Sequence, residues 1–203
     1  PLWASAVIVA AAAIAYQYPN EAMFLGLLIG AFTFISSLCL RKVSIIFVFG
    51  VFALLVITGP IIAYSIMNVP TIKKQALNIL TYRKHRINIW EFVAKKVEER
   101  PVLGHGFESA RRLGAIEDQY YKETRNALGA SRFRIKLPLH PHNIPLQIWL
   151  ELGLVGIILY LGILFGICRI LWRWRGPPVW AAAFAASTAS YLTVSSLSFG
   201  AWQ

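Results

Sequence analysis

The stretch that decides the fold is AMFLGLLIGAFTFISSLCL, residues 22–40, which continues through Arg41 and Lys42 into VSIIFVFGVFALLVITGPIIAYSIM, residues 43–67. Both apolar runs reach the ~18 uncharged residues that a helix needs to cross a bilayer. They therefore predict two spanning helices joined by a short basic turn. Similar runs occupy three other parts of the chain, namely residues 2–16, 144–168 and 178–202.

The composition of the whole chain agrees with this prediction. Hydrophobic residues make up 57% of the 203 residues and charged residues 14%, whereas soluble domains average about 45–50% and about 25%. We therefore expect an all-α integral membrane protein with about five transmembrane helices and a large, mostly helical loop. Three helices fall in residues 1–67, the loop in residues 68–143 and two helices in residues 144–203. Because the chain opens at Pro1 inside an apolar run, we also expect a fragment of a larger protein.

Basic residues indicate the topology. The short linkers at residues 41–42 and 169–175 carry only positive charges, and short basic linkers stay in the cytoplasm. The loop of residues 68–143 then lies outside, which is the periplasm in a Gram-negative host. It holds 15 of the 20 Lys and Arg residues against seven acids, so it favours anionic partners such as lipid phosphates, lipid-linked pyrophosphates or acidic polysaccharides. Nucleic acid suits this charge but not the compartment.

The loop contains an amphipathic helix. Residues 71–99 show helical periodicity, and one apolar stripe is formed by Trp90, Val93 and Val97. Pro101 ends this helix, and Gly104 and Gly106 indicate a turn after it.

Several kinds of chemistry lack the residues that they need. Asp118 is the only aspartate in the chain, so no Asp-x-Asp pair can hold a divalent metal on a nucleotide sugar. Glycosidase chemistry needs two facing carboxylates, which the scattered loop glutamates do not favour. The sequence also has no P-loop, no nucleophile elbow and no cysteine cluster. Metal-dependent and hydrolytic functions are therefore disfavoured.

The segment His140-Pro141-His142-Asn143 joins the basic loop to the fourth predicted span. Asn143 is a suitable N-cap for that helix, and a histidine just before a helix N-terminus meets the positive end of the helix dipole. This favours the neutral imidazole, which can accept a proton. Two other interpretations stay open: an interfacial histidine that only orders the start of the helix, and a His-x-His metal site.

Arg86 is the second candidate, because it lies on the apolar stripe of the loop helix. An arginine there is costly unless its guanidinium meets an anion. A phosphate would serve, with Arg83 and Lys84 near enough in sequence to share it, and so would the carboxylate of Glu91. Glu151, about two turns into the fourth span, is expected to pair with a loop Arg or Lys instead of facing lipid.

Three motifs follow one another along residues 86–156. They are RINIW at 86–90, RPVLGHG at 100–106, and HPHN at 140–143 followed by LQIWLELG at 146–153 and Gly156. In this order and context they resemble the signature of the O-antigen ligase and polymerase superfamily.

The resemblance implies a bacterial inner-membrane glycosyltransferase that takes a glycan from undecaprenyl pyrophosphate on the periplasmic side, without a metal or other cofactor. Ligases of this superfamily pass the glycan to the lipid A core, and polymerases pass it to another lipid-linked repeat. By resemblance, Arg86 holds the pyrophosphate and His142 is the base for the acceptor hydroxyl. We expect four further residues to bind substrate: Arg83, Lys84, His140 and Asn143.

The resemblance also leaves questions open. A further functional arginine of the family lies upstream of the loop and has no match here, so we expect the fragment to be inactive alone. Ligase and polymerase are not distinguished, because both use the same donor. A lipid-linked sugar transporter is the alternative from another class. It would need ionisable residues or broken helices at membrane depth, and Pro60 is the main interruption of the predicted spans.

Overall fold

The computed structural model describes residues 21–69, 84–115 and 140–198. Its main helices are α1 (Glu21–Asn68), α2 (Lys84–Glu99), α3 (Ile144–Trp172) and α4 (Pro178–Leu197). Residues 109–115 are also helical, and these three described ranges contain no strand. The predicted all-α class is therefore confirmed for this part of the chain, while the predicted span at residues 2–16 lies outside the described residues.

Two helical stretches are long and apolar enough to cross a membrane, Glu21–Ser65 and Ile144–Trp172. α4 lies where the fifth span was predicted, but it is less apolar than α1 and α3. The expected continuation of that span to residue 202 falls outside the described residues. A membrane-embedded helical protein agrees with these lengths, and the five-span topology stays a prediction.

α1 bends sharply at Leu40, whose φ of −133° and ψ of 50° are not helical. Beyond the bend, Ser44 Oγ lies 2.7 Å from Ser36 Oγ and 3.1 Å from Ser37 Oγ. Eight residues of straight helix would separate two positions by about 12 Å along the axis, so the chain has to turn between these serines. The interruption falls one residue before the basic linker from which the sequence predicted it.

The chain divides into two units, and the first contains the described residues 21–49 and 167–198. In this unit α4 packs closely against the start of α1. Ser190 Oγ donates a hydrogen bond to the carbonyl of Gly26 at 2.9 Å. A Cβ on Gly26 would lie 2.6 Å from Val194 Cγ2, and a Cβ on Gly30 would collide with Ser190. Two glycines on one face of α1 therefore allow the two backbones to approach.

The second unit contains the described residues 50–69, 84–115 and 140–166, and it is built around the first turns of α3. On one side α3 packs against α2 in a cluster formed by Ile89, Phe92, Val93, Val97, Ala110, Leu146 and Leu150. On the other side Ile144 and Ile148 pack with Val56 of α1, and Trp149 Nε1 donates to the carbonyl of Val56 at 2.8 Å. The predicted apolar face of the loop helix is thus confirmed by its burial against α3.

α3 is not one continuous span, which the sequence did not predict. Gly153 has φ 61° and ψ −152° and separates residues 144–152 from residues 154–172. The first leg is buried in protein, whereas the second exposes most of its large apolar side chains, among them Leu154, Val155, Ile158, Leu159, Ile163, Phe165 and Ile170. The second leg is about 28 Å long at 1.5 Å per residue, close to the ~30 Å of a bilayer hydrocarbon core.

Candidate functional site

The candidate site begins at the N-terminus of α3. The backbone N–H of Leu146 donates to Asn143 Oδ1 at 3.0 Å, and the backbone N–H of Gln147 donates to the carbonyl of Asn143 at 3.0 Å. The N-cap predicted for Asn143 is therefore confirmed. Its side-chain oxygen stabilises the helix start, which leaves the amide NH₂ as the group that can donate to a substrate.

The two histidines before this cap lie side by side. The ring centroids of His140 and His142 are 4.5 Å apart, with the rings inclined at 67°, and both side chains are half-buried. Burial, and next the charge of His142, lowers the pKa of His140. His142 has a φ of 54°, which is uncommon for a residue with a Cβ, so its backbone needs support from its surroundings.

Trp90 supplies that support from α2. Its Nε1 donates to the carbonyl of Pro141 at 2.9 Å, and this carbonyl belongs to the peptide that precedes His142. Pro141 is buried, and the Trp90 ring packs against the cluster that joins α2 to α3. The indole therefore fixes the peptide plane from which the His142 side chain projects. The sequence marked Trp90 only as part of an apolar stripe.

Arg86 lies one turn before Trp90 on α2 and is half-buried. Residues four apart share a helix face, so α2 presents Arg86 on the same side as the indole that contacts Pro141. Lys84 is the first residue of α2, and its side chain is outside the described part. Arg83 lies outside the described residues as well. The substrate-binding roles of these residues stay predictions.

The PVLGHG segment pairs with the break in α3 through four backbone hydrogen bonds. The N–H groups of His105 and Gly106 donate to the carbonyls of Leu150 and Glu151 at 2.8 and 2.9 Å. In return, the N–H groups of residues 154 and 155 donate to the carbonyls of residues 101 and 102 at 2.8 and 3.3 Å. The transporter alternative expected ionisable residues or broken helices at membrane depth. The break at Gly153 is of the second kind, and here the loop backbone satisfies the groups that it frees.

Two glycines make this pairing possible. A Cβ on Gly104, which has φ 66°, would lie 2.5 Å from the carbonyl carbon and oxygen of Glu151. A Cβ on Gly153 would lie 2.5 Å from the carbonyl oxygen of Val102 and 2.7 Å from the nitrogen of Gly104. The turn predicted at Gly104 is therefore a close backbone contact with α3. The sequence contained one signal for this contact, because each of the two motifs has a glycine. It did not indicate that the two motifs lie next to each other.

Glu151 is buried in the first leg of α3, at 1% exposure. Gln147 Nε2 donates to its Oε1 at 3.1 Å. Because the break at Gly153 follows directly, this carboxylate lies in the protein-packed leg and not among the exposed apolar side chains of the second leg. The expectation that Glu151 avoids lipid is confirmed, and its pairing with a loop cation stays a prediction.

His105 is a structural residue that the sequence did not single out. Its Nε2 donates to the carbonyl of Lys96 near the end of α2 at 2.7 Å, and its own carbonyl accepts from Arg112 at 2.9 Å. His105 thereby joins the end of α2 to the broken segment of α3. Within residues 21–69, 84–115 and 140–198, no three His, Cys, Asp or Glu side chains come together as a metal site would need.

Two helices long and apolar enough to cross a bilayer, Glu21–Ser65 and Ile144–Trp172, indicate a membrane protein. The chain belongs to the O-antigen ligase family, whose pattern it matches over residues 4–161. This confirms the superfamily to which the three motifs pointed.

Relatives from Rickettsia support this membership. A Rickettsia felis protein named as a candidate polysaccharide ligase is 33% identical over 186 residues, which are 90% of this chain and 43% of that protein. Similarly named proteins match from Rickettsia prowazekii, 33% identical over 186 residues (90% of this chain, 43% of that protein), and from Rickettsia conorii, 32% identical over 117 residues (56% and 26%). The chain thus spans less than half the length of these curated relatives. No solved structure matches it.

Proposed function

We propose that the full-length protein is a membrane glycosyltransferase that moves a glycan from undecaprenyl pyrophosphate to a lipid A core or polysaccharide acceptor. The observation that carries the proposal is the position of His142, braced by α2 at the start of α3. Membership of the O-antigen ligase family supports the reaction class. The names of the Rickettsia relatives favour a ligase over a polymerase.

In the proposed reaction His142 is the general base. Its imidazole takes the proton from the acceptor hydroxyl, and the hydroxyl oxygen then bonds to the anomeric carbon of the donor glycan. The bond from that carbon to the pyrophosphate oxygen breaks, and its electron pair leaves with the lipid pyrophosphate. Burial lowers the pKa of His140, which disfavours a positive charge on this neighbour of the proposed base.

Arg86 is the proposed anion-binding group. The pyrophosphate gains negative charge as it leaves, and a guanidinium can hold two of its oxygens through parallel hydrogen bonds. Arg83 and Lys84 lie next to it in sequence and would add positive charge to the same anion. With arginines in this role the reaction needs no metal ion, which makes metal independence part of the proposal.

The proposed setting is the bacterial inner membrane. The two legs of α1, before and after the bend at Leu40, and the second leg of α3 would cross the bilayer. Residues 68–143 would face the periplasm. The N-terminus of α3 would then lie at the membrane surface, where the pyrophosphate of a lipid-linked glycan also lies. A lipid-anchored donor could reach His142 without leaving the bilayer.

The test is glycan transfer by the purified full-length protein. His142→Ala should lower the rate by about 10²–10⁴-fold, the usual contribution of a positioned base. His140→Ala is the matched control and should cost much less, and a chelator should leave the wild-type rate unchanged. A fully active His142→Ala protein would contradict the proposed base, and loss of activity with chelator would favour the His-x-His metal site.

A second variant tests the anion site. Arg86→Lys keeps the positive charge but removes the two-pronged donor, so transfer should fall strongly. Donor binding should weaken in the same variant, which separates this role from that of His142. Near-normal transfer by a well-folded Arg86→Lys protein would exclude pyrophosphate binding by the guanidinium fork.

A further inference from the structure

Cations from two distant parts of the chain meet in the first unit. Lys42 Nζ lies 4.8 Å from the centre of the Trp172 ring, which brings the bend of α1 next to the end of α3. An open depression lined by residues 37–43 also reaches Pro178 at the start of α4. The basic cluster around this junction consists of Arg41, Lys42, Arg169, Arg173 and Arg175.

The basic cluster has no counter-charge within the described chain. Among residues 21–69, 84–115 and 140–198, ion pairs join Lys95 to Glu91 and Lys96 to Glu99 on α2, and no ion pair found there involves the cluster. The acid nearest in sequence to the bend in this unit is Glu21, at the far end of the first leg of α1, about 30 Å along the helix. The Lys42–Trp172 contact brings the two basic segments together, and positive charges without a carboxylate partner attract an anion from outside the described chain.

Apolar side chains surround these cations. Leu38, Leu40 and Val43 are 47%, 63% and 64% exposed beside the depression. Ile170 and Val179 are similarly exposed on the neighbouring helix ends. Trp172 stacks against the Lys42 ammonium, and tryptophans that combine an apolar face with a polar edge are typical of the membrane–water boundary. A ligand that matches this surface carries both a negative group and hydrocarbon.

We propose that the basic cluster is a binding site for an anionic glycerophospholipid. The headgroup phosphate bonds to the cations around the bend of α1, and the acyl chains lie against the exposed apolar side chains below them. A soluble phosphate engages only half of this surface, because it has nothing to place on the leucines and valines. The site is separate from the one proposed for glycan transfer and does not depend on His142.

The test uses the full-length protein in a neutral detergent. Dihexanoyl phosphatidylglycerol, dihexanoyl phosphatidylcholine and glycerol 3-phosphate are titrated separately, and bound molecules are counted by native mass spectrometry. Each cation near an anionic lipid contributes about five-fold to affinity. The double variant Lys42→Gln/Arg173→Gln should therefore bind phosphatidylglycerol about 30-fold more weakly, and Arg169→Gln/Arg175→Gln should repeat this loss.

The matched control is Lys95→Gln/Lys96→Gln, which removes the same total charge from two cations that already have carboxylate partners. Its affinity for phosphatidylglycerol should equal that of the wild type. Equal weakening in the control would show that net charge alone attracts the lipid and would overturn the proposal. Equal binding of phosphatidylcholine, or of glycerol 3-phosphate, would also overturn it, because the site requires both the negative headgroup and the acyl chains.

Discussion

The substitution Gly153→Ala should separate the broken segment of α3 from the loop that pairs with it. At φ 61° and ψ −152° the backbone occupies a region that is essentially restricted to glycine. The added methyl would also lie 2.5 Å from the carbonyl oxygen of Val102 and 2.7 Å from the nitrogen of Gly104. Both contacts are with backbone, so relief requires the whole segment to move.

The expected cost follows from two contributions. Holding alanine in this region costs about 1–3 kcal/mol. Displacing the loop breaks the bonds from the N–H groups of residues 154 and 155 to the carbonyls of residues 101 and 102, and each such bond contributes about 0.5–1.5 kcal/mol. Gly153→Ala should therefore destabilise the protein by about 2–6 kcal/mol.

Gly162→Ala is the control, since a Cβ there meets nothing within 4 Å and alanine is favoured over glycine in a helix by up to about 1 kcal/mol. Unfolding in mixed micelles, followed by circular dichroism, would give the stabilities of both variants. Hydrogen exchange would report on the amides of residues 105, 106, 154 and 155, which should lose protection only in Gly153→Ala. If both variants were equally stable and equally protected, the close pairing of the loop with α3 would be refuted.

Three other perturbations test separate contacts. Trp90→Phe should lower the initial rate of glycan transfer by at least about ten-fold, because small displacements of catalytic groups are costly. Trp149→Phe also loses an indole hydrogen bond, but its initial rate should stay near that of the wild type. Gly30→Val should destabilise the contact with α4 by roughly 1–3 kcal/mol in micelle unfolding, and Gly50→Val, with open space around it, should not. Because the pKa of His140 is lowered in the folded protein, this histidine takes up a proton at higher pH in the unfolded chain than in the folded one. The free energy of unfolding should therefore decrease as pH drops below 6.5. Thermal melts of His140→Gln should lack this pH-dependent loss.

The sequence by itself determined the features that depend on neighbouring residues. Runs of apolar residues interrupted at Arg41 and Lys42 predicted the bend of α1. Periodicity of three and four placed Val93 and Val97 on the buried face of α2, and Asn143 was identified as the cap of α3 from its position alone. These features arise from local hydrogen bonding and from side-chain spacing, both of which depend on residues that are close in sequence. The same motifs identified the family, although they left the roles of Arg86 and His142 as proposals.

Only the tertiary structure decided which distant segments touch. The apolar run of residues 144–168 read as one span, yet it is broken at Gly153 and its first leg is buried by protein. Nothing in the local pattern relates Gly104 to Gly153, or the indole of Trp90 to the carbonyl of Pro141. Such contacts depend on the path of the chain between the segments, because a backbone group in a break must find its partner wherever folding brings one within hydrogen-bonding distance.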